Sequence, residues 1–512
     1  MAVIPVPISY VESKTGKNIK EIRETLHKLG FPNEVRDGYI DVEVTPNRLD
    51  MHTIEGISRM LNCYFYEETK NYRINKSSEI NIIDKGVKQR PIIRGFIAEK
   101  IKDKDNLLES ILIAQEKIHE TYGRKRKKLA IGMHDLKKVK FPVYYEETSN
   151  VSFIPLGEEK EMSAEEIITS LEKGKQYGHL IKKPWPVVKD ENGIISMPPI
   201  INAERTKITE KTNSFFVEIT GNDLNAINNC LKVLICAFAD RGAKISLANV
   251  NGNVEMPEKE KLEFNLKEIK KLTGLNIKRK EAKKLLKKSG ITLKKFAIIP
   301  IYRIDINDTS DIAEEILINY GYENIIEEKL NLFEIGNAEK NIERDIFLRM
   351  GFNETVGFFL ISSELQKMFY DEVTTVIDAV SNEHNSLRTS LIFSLLMTEE
   401  KNKMKKLPHK IFEIGKVFYG KKERNEIAFL IADDESDINK AISVIKTFSK
   451  EIGSDIKAVN HKTWHEKFFV NGRYAYFEFS NYIAIVGEIK PEINEMFNIN
   501  NPLTAGIIIE KD

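Results

Sequence analysis

Residues 303–325, RIDINDTSDIAEEILINYGYENI, carry the densest chemical pattern in the chain. Asp311, Glu314 and Glu315 stand at i, i+3 and i+4, so on a helix their carboxylates share one face of the first turns, and Asp305 approaches from the preceding loop. Hard oxygen donors in this arrangement suit Mg2+, which takes one or two protein carboxylates and keeps several waters. Acids near a helix N-terminus also complement its dipole, and the local pattern alone favours that simpler role. The helix, predicted over Asp311–Tyr320, closes a module that opens at the linker PEKEK, 257–261. Two earlier helices, Leu266–Thr273 and Arg279–Ser289, are each stopped by a glycine, Gly274 and Gly290. The second is basic, with Arg279, Lys280, Lys283, Lys284, Lys287 and Lys288 around an apolar stripe of Ala282, Leu285 and Leu286. With a strand over Phe296–Tyr302, the order matches a helix-turn-helix or winged-helix unit.

Upstream, Ile19, Ile22, Leu26 and Leu29 share one face of a predicted helix over 17–30, followed by an alternating strand at Tyr39–Val44 and a helix at Ile54–Leu61. Polar residues from Glu67 to Ser78 mark a boundary. Residues 91–255 form a mixed region: strands at Ile92–Ile97, Phe215–Thr220 and Lys244–Val250, a helix at Leu107–His119, and the basic run Arg124–Lys128. Proline-stiffened loops at Lys182–Pro186 and Ser196–Pro199 are suited to framing a pocket. Around them Ser196, Asn202, Glu204, Glu218 and Thr220 alternate with apolar residues in a pattern that could line it. Downstream, strand-like runs at Thr355–Ile361, Ile411–Phe418, Ile427–Ala432 and Tyr474–Phe479 alternate with helices at Leu387–Lys401 and Asp437–Ile452, predicting an antiparallel sheet with helices packed on it.

At 512 residues the chain is long enough for three or four domains, and 41% hydrophobic with 30% charged residues marks it as globular. The 78 basic and 77 acidic residues leave a net charge of +1, so any attraction to a polyanion must be local. Candidates are the runs Arg124–Lys128, Lys278–Lys288 and Lys401–Lys406, although solvated helix faces account for any single run. Cys63, Cys230 and Cys236 form no CxxC pair and suit a reducing cytoplasm. MAVIPVPISY lacks a basic n-region and does not read as a signal peptide, and no segment has the ~18 apolar residues of a membrane span. Thr15-Gly-Lys17 is no P-loop, no GxGxxG follows a strand, and the HxxxH pair His461 and His465 lacks the glutamate of a zinc-protease motif.

Several of these runs together resemble the beta subunit of phenylalanyl-tRNA synthetase in its archaeal and eukaryotic form, over nearly the whole chain. The N-terminal signature is Glu43-Val-Thr-Pro-Asn-Arg48-Leu-Asp50 followed by Ile54-Glu55-Gly56-Ile57. Leu129-Ala-Ile-Gly132-Met-His134-Asp135-Leu136 and Pro198-Pro199-Ile-Ile-Asn202 are similar to the family's tRNA-editing module. The carboxylate cluster and Tyr320-Gly321-Tyr322-Glu-Asn324-Ile325 form a third group. Met350–Thr355, Leu387-Arg388-Thr389-Ser390-Leu391, Lys410–Gly415 and Gly487–Glu492 resemble its class II synthetase-like domain.

The resemblance implies an α+β multidomain chain: an N-terminal α/β domain (1–85), a B3/B4-type editing domain (89–255), a B5-type helix-turn-helix-like domain (257–332) and a non-catalytic class II synthetase-like domain (335–512). It places Asp305, Asp311, Glu314 and Glu315 on the family's shared Mg2+ positions, raising the metal role above the dipole role. It places Ser196, Asn202, Glu204, Glu218 and Thr220 where the family holds misattached tyrosine for hydrolysis. Ala203 departs from the glycine that many members carry, which would weaken editing if the backbone must approach substrate closely. Neither the arginine-bearing motif that clamps the ATP α-phosphate nor the Gly-rich motif ending in arginine that braces the adenine appears between Ile342 and Asp512. The implied partners are therefore an alpha subunit that activates phenylalanine with ATP, in an α2β2 heterotetramer, and tRNA(Phe), in the cytoplasm and without a membrane. The alternatives are an editing-inactive tRNA-binding and assembly subunit, and a freestanding metal-dependent hydrolase, for which nucleophile, base and oxyanion signatures are missing.

Overall fold

The computed structural model describes residues 2–327, 341–435, 437–461 and 464–511. It divides into two compact units, Met1–Lys329 and Leu330–Asp512. The boundary expected between 332 and 335 lies outside the described residues. Among those residues no helix is long and apolar enough to cross a membrane, and Cys63, Cys230 and Cys236 are buried free thiols.

The first unit opens with a three-stranded antiparallel sheet in which Tyr39–Val44 lies between Ala2–Pro7 and Asn33–Arg36. Helices Ile19–Lys28 and Ile54–Tyr66 cover it, burying Ile22 and Leu26 against Ile40, Val42 and Ile57. Asn18 caps the first by accepting the Glu21 N–H. The strand Ala2–Pro7 carries no alternation strong enough to announce it. It tolerates Pro5 and Pro7 because it is an edge strand.

The largest element is a nine-stranded mixed sheet, ordered Ile201–Asn202, Gly193–Met197, Trp185–Asp190, Val143–Thr148, Ile74–Asp84, Lys244–Val250, Ile92–Glu99, Phe215–Gly221 and Leu129–Asp135. Ile74–Asp84 is central and pairs parallel with both neighbours, so the polar stretch read as a boundary runs into the middle of this sheet. The period of two sorts Phe215–Gly221 by face. Phe215, Val217 and Ile219 pack with helices Leu107–Glu120 and Leu224–Asp240, while Phe216 packs with Ile82, Val143, Tyr145 and Ile195 on the other face. Glu218 and Thr220 share that second face. The sheet curls until its ends meet as a nearly closed barrel. Asn202 Nδ2, on the first strand, donates to the Met133 carbonyl on the last at 3.2 Å.

Residues 260–325 hold helices Leu266–Thr273, Arg279–Lys287 and Thr309–Tyr320 with a small sheet of Glu260–Leu262, Ala297–Ile299 and Thr292–Leu293. Gly274 and Gly290 have φ of +69° and +78°, as helix stops require. The strand predicted over Phe296–Tyr302 shrinks to Ala297–Ile299, because Pro300 has no N–H to continue the ladder.

The second unit is a seven-stranded sheet, ordered Asn353–Glu354, His409–Tyr419, Lys422–Ala432, Leu503–Glu510, Tyr482–Ile489, Phe469–Phe479 and Lys457–Val459, antiparallel except for its first pair. Ala428, Leu430 and Ala432 pack with helix Ile392–Asn402, and Ile427, Phe429 and Ile431 with helix Ile438–Glu451. Both faces are covered, hence the unbroken apolar run. The strand predicted over Thr355–Ile361 is interrupted: Gly357 donates its N–H to the Glu413 carboxylate instead of to a neighbour strand. The helix predicted from Leu387 starts at Ile392, since Ser386–Leu387 pairs with Leu360–Ile361. His465 is buried 2.9 Å from the Tyr370 hydroxyl, and burial pushes its imidazole down to about 3, while His461 is exposed.

Candidate functional site

The seam of the curled sheet encloses a cavity of about 350 Å³. Its walls are mainly apolar, from Leu108, Leu112, Ala130, Ile131, Met133, Ile200, Ile201 and Ile208, with the Pro198-Pro199 loop at one side. Among its polar residues are Ser196, Asn202 and Glu218, contributed by strands from both ends of the sheet.

Glu218 is 2% exposed. Its Oε1 accepts from Ser196 Oγ at 2.9 Å, and His134 Nε2 lies 4.0 Å from the same oxygen. The His134 ring is fixed from behind by Thr206 Oγ1, 2.9 Å from Nδ1, and by stacking on Phe216. Glu218 Oε2 is buried with no hydrogen-bond partner among the described residues. Gly132 is directly opposite Glu218 in the strand register, and a Cβ there would stand 2.2 Å from Oε1. Glycine at 132 is thus what lets the carboxylate lie over the neighbouring strand.

Of the five residues expected in the pocket, three are brought together. Thr220 is buried two positions further along the strand and does not line the cavity; its carbonyl accepts from Arg90 Nη2 at 2.9 Å. Glu204 lies outside the cavity, where its carboxylate accepts the Gly157 N–H at 2.7 Å and pairs with Lys207 at 3.0 Å, both holding it below the usual glutamate range. Ala203 has φ −82° and ψ 145°, ordinary extended backbone, and packs its methyl into a core with Met197 and Ile200. The position needs no glycine, so the departure leaves the cavity's shape intact.

Gln115, His119, Arg126, Lys173 and Lys207 also line the cavity, and no sequence pattern pointed to them as pocket residues. His119 Nε2 accepts the Ile131 N–H at 2.7 Å, and burial holds the imidazole well below the usual histidine range, so it is neutral. Arg126 belongs to the basic run Arg124–Lys128, but its guanidinium turns inward over the Tyr177 ring at 4.3 Å.

The carboxylate cluster lies at a second cavity, of about 430 Å³, between the N-terminal signature and the helices of residues 260–325. Here Arg303 occupies the place a cation would take. It forks onto Asp305, at 2.9 Å and 2.7 Å, and also donates to Glu315. Burial would raise both carboxyls, but the Arg303 guanidinium outweighs it and holds both below their usual range. Arg48 pairs likewise with Asp50, at 2.9 Å and 3.0 Å, and lies 4.0 Å from Asp305. Asp311 closes a capping box with Asp308, its Oδ2 accepting the N–H groups of Asn307 and Asp308 at 2.6 Å and 3.1 Å. Glu314 is exposed and lines the cavity. Among the described residues no three acidic, histidine or cysteine side chains are grouped to hold a metal ion. As placed, the four carboxylates do not fit a magnesium site made by this chain alone.

Three families match successive parts of the chain: the B3/4 domain over residues 106–235, the tRNA synthetase B5 domain over 262–322, and the phenylalanyl tRNA synthetase beta chain CLM domain over 334–508. The phenylalanine–tRNA ligase beta subunit of Archaeoglobus fulgidus is 32% identical, across 99% of this chain and 97% of its own. That of Methanocaldococcus jannaschii is 33% identical, across 93% and 92%. A crystal structure of an N-terminal fragment of the phenylalanyl-tRNA synthetase beta subunit from Pyrococcus horikoshii superposes with a TM-score of 0.58 at 32% identity, covering 62% of this chain and 99% of that one. By these matches, over nearly its whole length, the chain belongs to the archaeal phenylalanyl-tRNA synthetase beta-subunit family.

Proposed function

We propose that this subunit supports ATP-dependent charging of tRNA(Phe) on an alpha subunit, in an α2β2 assembly, and that its own chemistry is hydrolysis of tyrosine wrongly attached to that tRNA. The orphaned, buried Oε2 of Glu218 carries the editing role. A carboxylate oxygen without a donor in a mainly apolar cavity is costly unless a ligand supplies one, and the phenol of tyrosine does. Phenylalanine, lacking that hydroxyl, leaves it unmatched. An apolar charging site rejects tyrosine only weakly, by roughly 100-fold, whereas a site built to bond the hydroxyl discriminates far more sharply.

Ser196 holds Glu218 in place through Oε1, so Oε2 is the carboxylate oxygen that still lacks a donor. Glu218 would be the specificity group; the ester is cleaved by water positioned beside it, where neutral His119 and the Asn202 amide are among the polar groups at hand. Deacylation of Tyr-tRNA(Phe) by the αβ complex tests the assignment: hydrolysis that Glu218→Gln leaves untouched would overturn it. Absence of hydrolysis in the wild type would favour the tRNA-binding and assembly role.

A further inference from the structure

Arg124, Lys125 and Arg126 have φ of +49°, +51° and +63°. Residues with a Cβ avoid this left-handed region singly and almost never occupy it in succession. Backbone strain of this kind persists where the surroundings enforce it, and it gathers at functional sites. The surroundings do enforce it here: the N–H of Arg126 reaches the His119 carbonyl at 3.2 Å, that of Lys128 the Gly123 carbonyl at 3.0 Å, and Arg90 donates to the Arg126 carbonyl at 3.2 Å. Arg126 Nη1 bonds the carbonyls of Pro199 and Ile200, both at 2.8 Å, so the turn is tied to the loop that walls the Glu218 cavity.

The turn leaves Arg124, Lys125 and Lys127 exposed, and no carboxylate of a described residue is within ion-pairing distance of any of them. The acidic groups near the cavity gather in an adjoining depression, with Glu116 close enough to favour the charge on Arg126. This depression shares Leu108 and Leu112 with the cavity and carries Glu109, Glu116 and Glu210 against a single lysine, Lys104. A polyanion approaching the cavity is therefore drawn to the side of the turn. In an aminoacyl-tRNA the amino acid and the terminal phosphate are separated by one ribose, so a cavity for the amino acid needs its cations adjacent, and Arg126 belongs to both.

We infer that the left-handed basic turn Arg124–Lys127 is the lip that binds the RNA backbone at the 3′ end of the substrate, next to the cavity that holds its amino acid. This rests on the editing role proposed above. The test uses the αβ complex with the triple variant Arg124→Ala, Lys125→Ala, Lys127→Ala, and two probes: Tyr-tRNA(Phe) and tyrosyl-adenosine, an ester with no phosphate. The expected result is a KM for Tyr-tRNA about tenfold higher at unchanged kcat, with the log-log salt slope smaller by roughly 0.7 for each phosphate that the variant no longer neutralises. Tyrosyl-adenosine hydrolysis and phenylalanine charging stay at wild-type levels, and Lys125→Arg alone behaves as wild type. An unmoved KM and salt slope, or equal losses on both probes, would overturn the inference. Should the wild type hydrolyse neither probe, the editing role fails and the lip is judged by photocrosslinking of a tRNA carrying a photoreactive 3′ nucleotide. Crosslinks within 124–127 that the triple variant abolishes support it; their absence overturns it.

Discussion

Ser196 Oγ donates to Glu218 Oε1 at 2.9 Å, although their strands are second and eighth in the order of a nine-stranded sheet. The bond spans the seam where the curled sheet nearly closes, and together with the bond from Asn202 to the Met133 carbonyl it substitutes for the ladder that a fully closed barrel would have there. A pocket at such a seam gains side chains from both ends of the sheet without breaking backbone pairing. Glu218→Gln keeps the volume and an acceptor for Ser196 but removes the charged acceptor, an interaction of about 1.5–3 kcal/mol. Deacylation kinetics on Tyr-tRNA(Phe) should show kcat/KM lowered about 10- to 100-fold, with Ser196→Ala costing several-fold less.

The strand over Phe215–Thr220 is legible in the sequence, and the structure extends it to Gly221, buried on both faces, with Glu218 on the face away from Phe215, Val217 and Ile219. What alternation cannot show is the curl that brings Ser196 and Glu218 together, since that depends on pairing among strands more than 100 residues apart in places, such as Ile74–Asp84 with Lys244–Val250. The polar alternation around the Pro198-Pro199 loop points to Glu204 as a pocket residue, but the short 3-10 turn Glu204–Thr206 carries it out of the strand and onto Lys207. Arg126 was visible only as charge; nothing in RKRKK distinguishes the one residue that folds inward from its four neighbours. The acidic i, i+3, i+4 pattern is equally clear, but of its members only Glu315 meets Arg303, while Asp311 caps the helix and Glu314 is exposed.

Gly132 gives a steric test of the same carboxylate. An added Cβ would lie 2.2 Å from Glu218 Oε1, so Gly132→Ala must push the carboxylate off Ser196. Tyr-tRNA hydrolysis should fall at least as far as in Glu218→Gln while phenylalanine charging by the αβ complex is preserved. Charging that falls in parallel would mean that the substitution disturbs more than the cavity.

Ala203→Gly should not improve editing. The backbone there is extended at φ −82° and Ala203 is 2% exposed in an apolar cluster, so glycine gains no needed freedom and loses a packed methyl. Deacylation should stay within twofold of wild type, with stability lower by about 1 kcal/mol in urea unfolding.

Arg303→Met leaves Asp305 and Glu315 buried without their cation, and breaking such a pair costs about 3–5 kcal/mol. The melting temperature of the wild-type chain should be indifferent to millimolar Mg2+ or EDTA, because guanidinium already pairs with the two buried carboxylates, Asp305 and Glu315. The variant should melt lower and regain part of the loss on adding Mg2+. A wild-type melt that rises with Mg2+ would show that the carboxylates hold metal despite Arg303.

Glu426 supplies a pH test in the second unit. Its Oε1 accepts from Ser390 Oγ and the Leu391 N–H, both at 2.6 Å, while Oε2 is buried without a partner among the described residues. Burial outweighs those bonds and pushes the carboxyl up to about 7, against 4.5 for an ordinary glutamate. The folded state thus binds this proton more tightly than the unfolded one. The stability it confers is fully present below pH 4.5, declines as pH rises from there to about 7, and is gone above it. The span corresponds to roughly 3 kcal/mol at most. Opening free energies from native-state hydrogen exchange of the strand Lys422–Ala432 should fall between pH 5 and 8 in the wild type. In Glu426→Gln, which keeps the acceptor and cannot ionise, that decline should disappear; a slope that survives the substitution would assign it to another group.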